Sequence, residues 1–179
     1  MYPKEEALLD FYNSHPTGGQ VTNSSKLKRT AEILETDISG SVLDLGCAQG
    51  HTCKHALKLG AEKSLGVDFS EERIKEGKKM YQEIELVCMD LHKFVETTNL
   101  TFDRILLFDT IEHLEKPEEL IRNAKKLLND GGCIISSTPL AFPYEAHLQV
   151  FKDVEDFFDK LSPNRAVEDR KSILARWDK

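Results

Sequence analysis

Five short, continuously apolar runs alternate with stretches of helical periodicity in the middle of the chain. They are residues 42–45, 64–67, 86–89, 104–108 and 133–137. Their apolar positions are consecutive rather than alternate, which is typical of strands that are covered by helices on both faces. Strands and helices that alternate in this order predict βαβ units and a parallel sheet.

Residues that favour helix boundaries lie between these runs. A helix over His51–Leu59 is expected to end at Gly60, and Ser70 is expected to cap the next helix. Pro117 marks the start of the clearest helix, which we expect to end at the Gly131-Gly132 pair. The apolar stripe of this helix has helical spacing and predicts a face packed on the sheet: Leu120, Ile121, Ala124, Leu127 and Leu128.

The two ends of the chain are less regular. Residues 4–12, 26–34 and 153–161 are expected to form further helices. The last part, residues 166–177, is expected to form a short antiparallel strand pair with residues 172–177 as the final strand, and a helix is the alternative.

The composition limits the classes of partner. The chain has 179 residues and a formal net charge of −7, which argues against a nucleic acid bound mainly through its phosphates. Its four cysteines contain no Cys-x-x-Cys pair, so a structural zinc site is not expected and a reducing cytosol is the simple assumption. The N-terminus lacks an apolar signal core, and no apolar stretch approaches the roughly 20 residues that span a bilayer. We therefore expect a single-domain, cytoplasmic protein without a membrane span.

The glycines after the first apolar run indicate a nucleotide-like cofactor. A dinucleotide site has the spacing Gly-x-Gly-x-x-Gly, in which backbone amides and a helix N-terminus meet a pyrophosphate. Counted from Gly46, this spacing requires glycine at two positions where the chain has Ala48 and His51. A nicotinamide-dependent dehydrogenase is therefore disfavoured, and a cofactor without a pyrophosphate is favoured.

The segment Asp44-x-Gly46-x-Ala48-x-Gly50 resembles the acidic-x-Gly-x-Gly-x-Gly signature of class I S-adenosylmethionine-dependent methyltransferases. The resemblance covers about residues 40–161. Within the family it is strongest to the small-molecule methyltransferases of the ubiquinone-biosynthesis-like and glycan-modifying branch. It also includes these segments: Asp68 after the second run, Met89-Asp90-Leu91, residues 102–108, Glu112-His113-Leu114 and residues 127–137. It implies an α/β, Rossmann-like, doubly wound and mostly parallel sheet of about seven strands, with a short C-terminal strand pair.

The resemblance also implies a division of this single domain. Residues 1–38 would form an N-terminal helical arm, residues 40–138 the cofactor-binding core, and residues 139–179 the acceptor side with the last strands. In the core, Gly46 and Gly50 would let the turn pass close under the methionine tail of the cofactor, S-adenosyl-L-methionine. Cys47 and Ala48 complete this turn, with Ala48 where the family usually has glycine.

Carboxylates at the strand ends carry the remaining cofactor contacts that the resemblance implies. Asp44 would help to hold the ammonium group of the cofactor, and Asp68 would accept hydrogen bonds from both ribose hydroxyls. Asp90 would bind the adenine amino group. Phe69 would pack against the adenine, with the Leu91 amide nearby. Phe108 and Asp109 would line the floor under the methyl group.

The residues that would act on the acceptor are less determined by the sequence. Asp109, His113 and His147 are the candidate catalytic groups, because a hydroxyl acceptor benefits from a general base near the methyl group. The set Asp109, Glu112, His113 and His147 also resembles the metal-binding residues of RNA 3′-terminal 2′-O-methyltransferases, but we assign no metal. His147 alternatively belongs to a His-x-x-x-Phe segment on the acceptor side, which ends at Phe151.

The sequence thus predicts an S-adenosylmethionine-dependent methyltransferase that yields S-adenosyl-L-homocysteine. The acceptor would be a hydroxyl or an amine of a small molecule or of a glycan or lipid intermediate. One alternative is a metal-dependent RNA terminal 2′-O-methyltransferase, and another is a non-catalytic, methyltransferase-like partner subunit. We expect a monomer or homodimer that binds no nucleic acid.

Overall fold

A computed structural model describes residues 27–28, 31–32, 36–141 and 170–179 of the chain. Residues 27, 28, 31 and 32 are helical, as predicted for residues 26–34. The helices predicted at residues 4–12 and 153–161, and the candidate residue His147, lie outside the described residues. In the part of the chain that is described, no helix is long and apolar enough to cross a membrane.

Six strands form one sheet in the described residues, in the order β3-β2-β1-β4-β5-β6. Their bounds are β1 Gly40–Leu45, β2 Ala61–Asp68, β3 Glu85–Cys88, β4 Phe102–Phe108, β5 Leu128–Ala141 and β6 Arg170–Asp178. All neighbours are parallel except β6, which runs antiparallel to β5. The predicted α/β sheet is therefore confirmed, and the predicted C-terminal antiparallel pair is formed by β5 and β6.

Within residues 36–141, four α-helices connect the strands: α1 His51–Leu59, α2 Glu71–Met80, α3 Leu91–Thr97 and α4 Pro117–Lys125. A short 3-10 helix, Ile111–His113, precedes α4. Two predicted boundaries are confirmed in atomic detail. Gly60 ends α1 in the left-handed conformation with φ 117°, and the Ser70 hydroxyl caps α2 by accepting a hydrogen bond from the backbone N–H of Arg73.

The predicted end of α4 is wrong. The helix ends at Lys125, and Leu128 already begins β5. Gly131 and Gly132 instead lie in an irregular part of β5, because Phe102 of β4 pairs with Leu128 while Arg104 pairs with Cys133. Gly131 has a φ of 75°, so the pair permits a bulge inside the strand rather than a helix end.

Helices cover both faces of the sheet, as the continuous apolar runs predict. On one face, α3 and α4 pack on Leu43, Leu45 and neighbouring strand residues in the larger core cluster. On the opposite face, Leu27 and α1 pack on Val42 and Leu106. Since both faces are filled, the ends of the parallel strands are the remaining place for a ligand.

Asp103 joins three segments at the amino ends of β1, β4 and β5. Its Oδ2 accepts hydrogen bonds from the backbone N–H of Ser41 at 2.7 Å and from the Ser41 hydroxyl at 2.8 Å. Its Oδ1 accepts from the Asn129 side-chain amide at 3.0 Å. These bonds, first among them that of the Ser41 N–H, lower the pKa of the Asp103 carboxyl below its ordinary value.

We predict that Asp103→Ala lowers the free energy of unfolding by roughly 2–3 kcal/mol at pH 7, because hydrogen bonds to a charged acceptor are lost. The lowered pKa means that this contribution is present above the unfolded value of 3.8 and is lost as the pH falls through the lower folded value. Urea unfolding at pH 7 and at pH 3 measures both effects. Asp130→Ala is the control, since this exposed carboxylate pairs with Lys179 at the surface, and a change of similar size there would contradict the assignment.

Candidate functional site

The strand order places a crevice at the carboxyl ends of β1 and β4. The chain leaves β1 toward β2 and β3 on one side, and toward β4 and β5 on the other. At this switch point the connecting loops diverge, and open α/β sheets bind their ligands there. The two loops that flank the crevice are residues 46–50 after β1 and residues 109–113 after β4.

The loop after β1 alternates between ordinary and left-handed backbone. Gly46, Ala48 and Gly50 have φ values of 85°, 48° and 82°. The backbone N–H groups of Gly46 and Cys47 donate to the carbonyl oxygen of Val67 at 2.8 and 3.1 Å, which ties the loop to β2. Ala48 is therefore a left-handed residue with a side chain, a conformation that costs about 1–2 kcal/mol relative to glycine.

Close neighbours explain why two of these positions are glycine. A Cβ atom on Gly46 would lie 2.4 Å from the Thr110 hydroxyl oxygen, and one on Gly50 would lie 2.7 Å from Cδ1 of Ile84. Both distances are shorter than real Cβ contacts, and both glycines have a left-handed φ, so either substitution would strain the loop or displace its neighbours. The loop thus fits between the end of β4 and the residues around β3.

Asp68 fixes the same loop from the end of β2. Its Oδ2 accepts a hydrogen bond from the Ala48 N–H at 2.9 Å, and its Oδ1 accepts from the Ser70 N–H at 2.9 Å. The side chain is 5% exposed. Burial raises the pKa of Asp68, while these two N–H groups and the positive charge of Arg73 oppose the rise. Each oxygen retains capacity to accept from a further donor, such as one hydroxyl of a diol.

Asp44 lies in β1 beneath the loop and is 2% exposed. Burial raises the pKa of Asp44 to about 7, although the Cys53 thiol opposes the rise and the charge of Asp68 adds to it. Cys53 of α1 donates its S–H to Oδ2 of Asp44 at 3.7 Å. A nearby cation would stabilise the ionised form of a carboxylate in this environment and so lower its pKa.

The predicted adenine-side residues follow β2 and β3. Asp90 is exposed and caps α3, since its Oδ1 accepts from the Lys93 N–H at 2.8 Å. Leu91 is buried and Phe69 is half-buried. The Met89 N–H donates to the Asp68 carbonyl at 3.0 Å, which joins the two strand ends. The structure thus brings Asp90 to the same edge as Asp68, and contact of either with a cofactor stays a prediction.

The loop after β4 holds the candidate catalytic residues. Asp109 has a φ of 52°, and its N–H donates to the Ser137 carbonyl at 2.8 Å. Phe108 is buried in the core cluster that contains Val42 and Leu106. Burial lowers the pKa of His113, although the negative charge of Asp109 opposes this effect. A non-glycine residue in the left-handed region is a form of local strain that often marks a functional site.

The metal hypothesis finds limited support here. Nε2 of His113 lies 4.0 Å from Oε1 of Glu112. Within residues 27–28, 31–32, 36–141 and 170–179, no group of three or more His, Cys, Asp or Glu side chains is arranged to hold a metal ion. His147, the fourth residue of the hypothesis, lies outside these ranges.

Sequence reasoning missed Thr110 and Gly77. The Thr110 hydroxyl donates to the carbonyl oxygen of Leu45 at 3.0 Å, which joins the end of β4 to the end of β1. Gly77 of α2 lets the loop approach, because a Cβ atom there would lie 2.5 Å from the Gln49 carbonyl oxygen. A buried glycine within a helix was a usable signal, since glycine destabilises a helix and needs another reason to be there.

Comparisons with known proteins agree with this geometry. A family model described as "Methyltransferase domain" matches residues 19–172. A ubiquinone biosynthesis O-methyltransferase of Coxiella burnetii (strain RSA 331 / Henzerling II) is 29% identical over 143 residues, which cover 76% of this chain and 60% of that protein. The chain thus spans about 60% of the length of this curated relative.

Solved structures share the fold. The N-methyltransferase NodS from Bradyrhizobium japonicum WM9, in complex with S-adenosyl-L-homocysteine, is 19% identical with a TM-score of 0.57, over 72% of this chain and 71% of that one. A DhpI–SAM–HEP complex is 20% identical with a TM-score of 0.62, over 94% of this chain and 79% of that one. The family match, the strand order and the glycine loop together show that the chain belongs to the class I S-adenosylmethionine-dependent methyltransferases.

Proposed function

We propose that this chain binds S-adenosyl-L-methionine in the crevice between β1 and β4 and transfers its methyl group to a hydroxyl of a small molecule. The observation that carries the proposal is the buried Asp68 carboxylate, which holds the cofactor loop through Ala48 and keeps capacity for two more donors. A ribose diol supplies two donors in a suitable arrangement. The curated relative, an O-methyltransferase, supports a hydroxyl rather than an amine as the acceptor.

The remaining cofactor groups are assigned to neighbouring strand ends. The buried Asp44 would hold the cationic ammonium group, whose charge would offset the destabilising effect of burial on the carboxylate. The adenine is assigned to the edge formed by Phe69, Asp90 and Leu91. Asp109 and His113 of the loop after β4 would then lie on the side of the methyl group and the acceptor.

The bound cofactor would supply an electrophilic methyl group, which would pass to the acceptor oxygen by in-line displacement while the C–S bond breaks and its electron pair stays on sulfur. Alignment of the two reactants is the main contribution of the protein. The acceptor O–H also loses a proton, which requires a base nearby. We assign this proton to His113, whose side chain is 41% exposed and lies in the same loop as Asp109. Partial desolvation lowers its pKa, which favours the neutral imidazole that a base requires. Asp109 is assigned to orient the imidazole, and His147 is the alternative base.

We predict that Asp68→Asn weakens binding of S-adenosyl-L-homocysteine by about 10- to 100-fold, because it removes a charged acceptor of hydrogen bonds. Isothermal titration calorimetry measures the affinity, with NAD as a second ligand. The matched control is Asp130→Asn, which changes an exposed carboxylate far from the crevice in sequence and strand position. Tight binding of NAD, or an unchanged affinity of Asp68→Asn, would argue against the proposed cofactor site.

Asp44→Asn should raise stability at high pH while it weakens cofactor binding. The folded pKa of about 7 exceeds the ordinary value of 3.8, so the unfolded chain loses its proton first and stability falls as the pH rises between these values. The variant should therefore gain up to about 4 kcal/mol at pH 8 and much less at pH 5. Urea unfolding at both pH values measures this. A variant less stable than the wild type at pH 8 would show that the carboxylate is favourably placed even without a ligand.

The proposed base should be visible in the pH dependence of the reaction. With an acceptor found by testing phenols and catechols, kcat/KM of the wild type should fall at acidic pH with an apparent pKa below the ordinary histidine value of 6.5. His113→Gln should lower kcat by roughly 100-fold and remove this dependence. His55→Gln on α1 is the control, because the pKa of His55 is also lowered by burial. Wild-type kinetics in His113→Gln would transfer the assignment to His147, which His147→Gln then tests.

A further inference from the structure

Thr110 lies where the loop after β4 meets the cofactor loop, residues 46–50. Its hydroxyl donates to the carbonyl oxygen of Leu45 at 3.0 Å. The last backbone pair between β1 and β4 is Asp44 with Leu106, so this side-chain bond continues the connection of the two strands beyond their backbone pairing. Thr110 is buried, so loss of its hydroxyl would leave the Leu45 carbonyl without this donor and away from water.

The same side chain packs against the start of the cofactor loop. A Cβ atom on Gly46 would lie 2.4 Å from the Thr110 hydroxyl oxygen and 2.9 Å from its methyl carbon. The Gly46 backbone is therefore close to both branches of the threonine. The position of Thr110 relative to the end of β1 thus fixes the separation of the two loops.

Thr110 also begins the segment that carries the proposed base. Its carbonyl oxygen accepts a hydrogen bond from the backbone N–H of His113 at 3.0 Å, at the start of the 3-10 helix Ile111–His113. The preceding residue, Asp109, has a left-handed φ of 52° and is held from the other side, because its N–H donates to the Ser137 carbonyl of β5 at 2.8 Å. Two consecutive residues therefore attach this loop to β5 and to β1.

We propose that Thr110 is a positioning residue for methyl transfer, whose hydroxyl sets the distance and angle between the cofactor loop and the loop that carries Asp109 and His113. The inference depends on the proposed function, since it concerns the two loops assigned to the cofactor and to the base. In-line displacement requires the acceptor oxygen, the methyl carbon and the sulfur to be aligned, and a misplacement of about 1 Å can lower a rate about 100-fold. Thr110 contributes to this alignment without touching the reacting atoms.

The cofactor loop has other attachments that do not involve Thr110. The Gly46 N–H donates to the Val67 carbonyl at 2.8 Å, and the Ala48 N–H donates to Oδ2 of Asp68 at 2.9 Å. These bonds hold the loop to β2, on the side of β1 opposite to β4. Loss of the Thr110 hydroxyl should therefore change the placement of the loop after β4 more than it changes the affinity for the cofactor.

Thr110→Val tests the inference with a side chain of nearly the same shape. The hydrogen bond is lost, and a methyl carbon in place of the hydroxyl would lie 3.0 Å from the Leu45 carbonyl oxygen, closer than the separation of about 3.3–3.6 Å at which carbon and oxygen meet. Thr110→Ala removes the bond without this clash and gives the same test if the valine variant does not fold. Thr110→Ser keeps the hydroxyl and should behave as the wild type.

Ser41→Ala is the matched control for a loss of stability. Thr110 and Ser41 are both 6% exposed. The Ser41 hydroxyl is bonded to Asp103, at the opposite end of β1. An effect that comes from weaker folding alone should appear in this variant as well, whereas an effect on the two loops should not.

Two measurements on the full chain separate positioning from folding and from cofactor binding. Calorimetry should give Thr110→Val an affinity for S-adenosyl-L-homocysteine within about threefold of the wild type. Hydrogen–deuterium exchange with this ligand bound should be faster in residues 109–114 of Thr110→Val than of the wild type, because the 3-10 helix has lost its connection to β1. Thr110→Ser and Ser41→Ala should exchange there as the wild type does.

The kinetic result follows from the same geometry. With a phenol or catechol as acceptor, kcat of Thr110→Val should fall by about 10- to 100-fold, while KM for S-adenosyl-L-methionine changes by less than about threefold. Thr110→Ser should restore most of kcat, and Ser41→Ala should retain it.

Three outcomes would overturn the inference. They are unchanged exchange of residues 109–114 in Thr110→Val, the same change in Ser41→Ala, and a loss of S-adenosyl-L-homocysteine binding in Thr110→Val that accounts for its loss of activity. The last result would make Thr110 part of the cofactor site. All three leave the proposed function intact as long as the wild type binds S-adenosyl-L-homocysteine, and absence of that binding in the wild type means that the proposed function itself fails.

Discussion

The candidate site depends on one carboxylate that accepts hydrogen bonds from the backbone. Asp68 holds the N–H groups of Ala48 and Ser70, so it joins the glycine loop, the end of β2 and the start of α2. Its position follows from the parallel pairing of β1 with β2, which brings the two strand ends to the same edge. A ligand that binds Asp68 therefore meets a loop already held in place, and the affinity is not reduced by the ordering of that loop.

A buried carboxylate beneath the loop makes the site intrinsically less stable than the rest of the core. Asp44 lies in β1 next to the buried residues Val42, Leu43 and Leu45. An apolar side chain at this position would be buried without the cost of removing a carboxylate from water. The Cys53 thiol, a weak donor, forms a hydrogen bond with the Asp44 side chain. Residues that lower stability without a structural benefit are expected at functional sites. This conflict between folding and binding favours a role for Asp44 that is fulfilled only when a cation is present.

Much of the fold could be predicted from the sequence because its signals are local. The apolar runs, the cap at Ser70 and the helix end at Gly60 each depend on neighbours along the chain. The end of α4 could not be predicted because β5 begins with long-range contacts: Phe102 of β4 pairs with Leu128, and Asp103 accepts a hydrogen bond from Asn129. The residues of the site show the same difference between local and long-range signals. Gly46 belongs to a recognisable motif, whereas the Thr110 hydroxyl that packs against it is identified only when β1 and β4 lie side by side.

The methyl group of Ala48 has a consequence for the empty loop. A glycine at this position would visit many backbone conformations when Asp68 releases it, whereas alanine has far fewer. The left-handed φ of 48° is strained in the closed loop, but the open loop has less conformational entropy to lose on closing. Alanine thus leaves the chain fewer alternatives to the conformation that Asp68 holds than glycine would. Backbone strain at Ala48 is exchanged for stiffness of the segment, so the loop is preorganised by its covalent structure as well as by its hydrogen bonds.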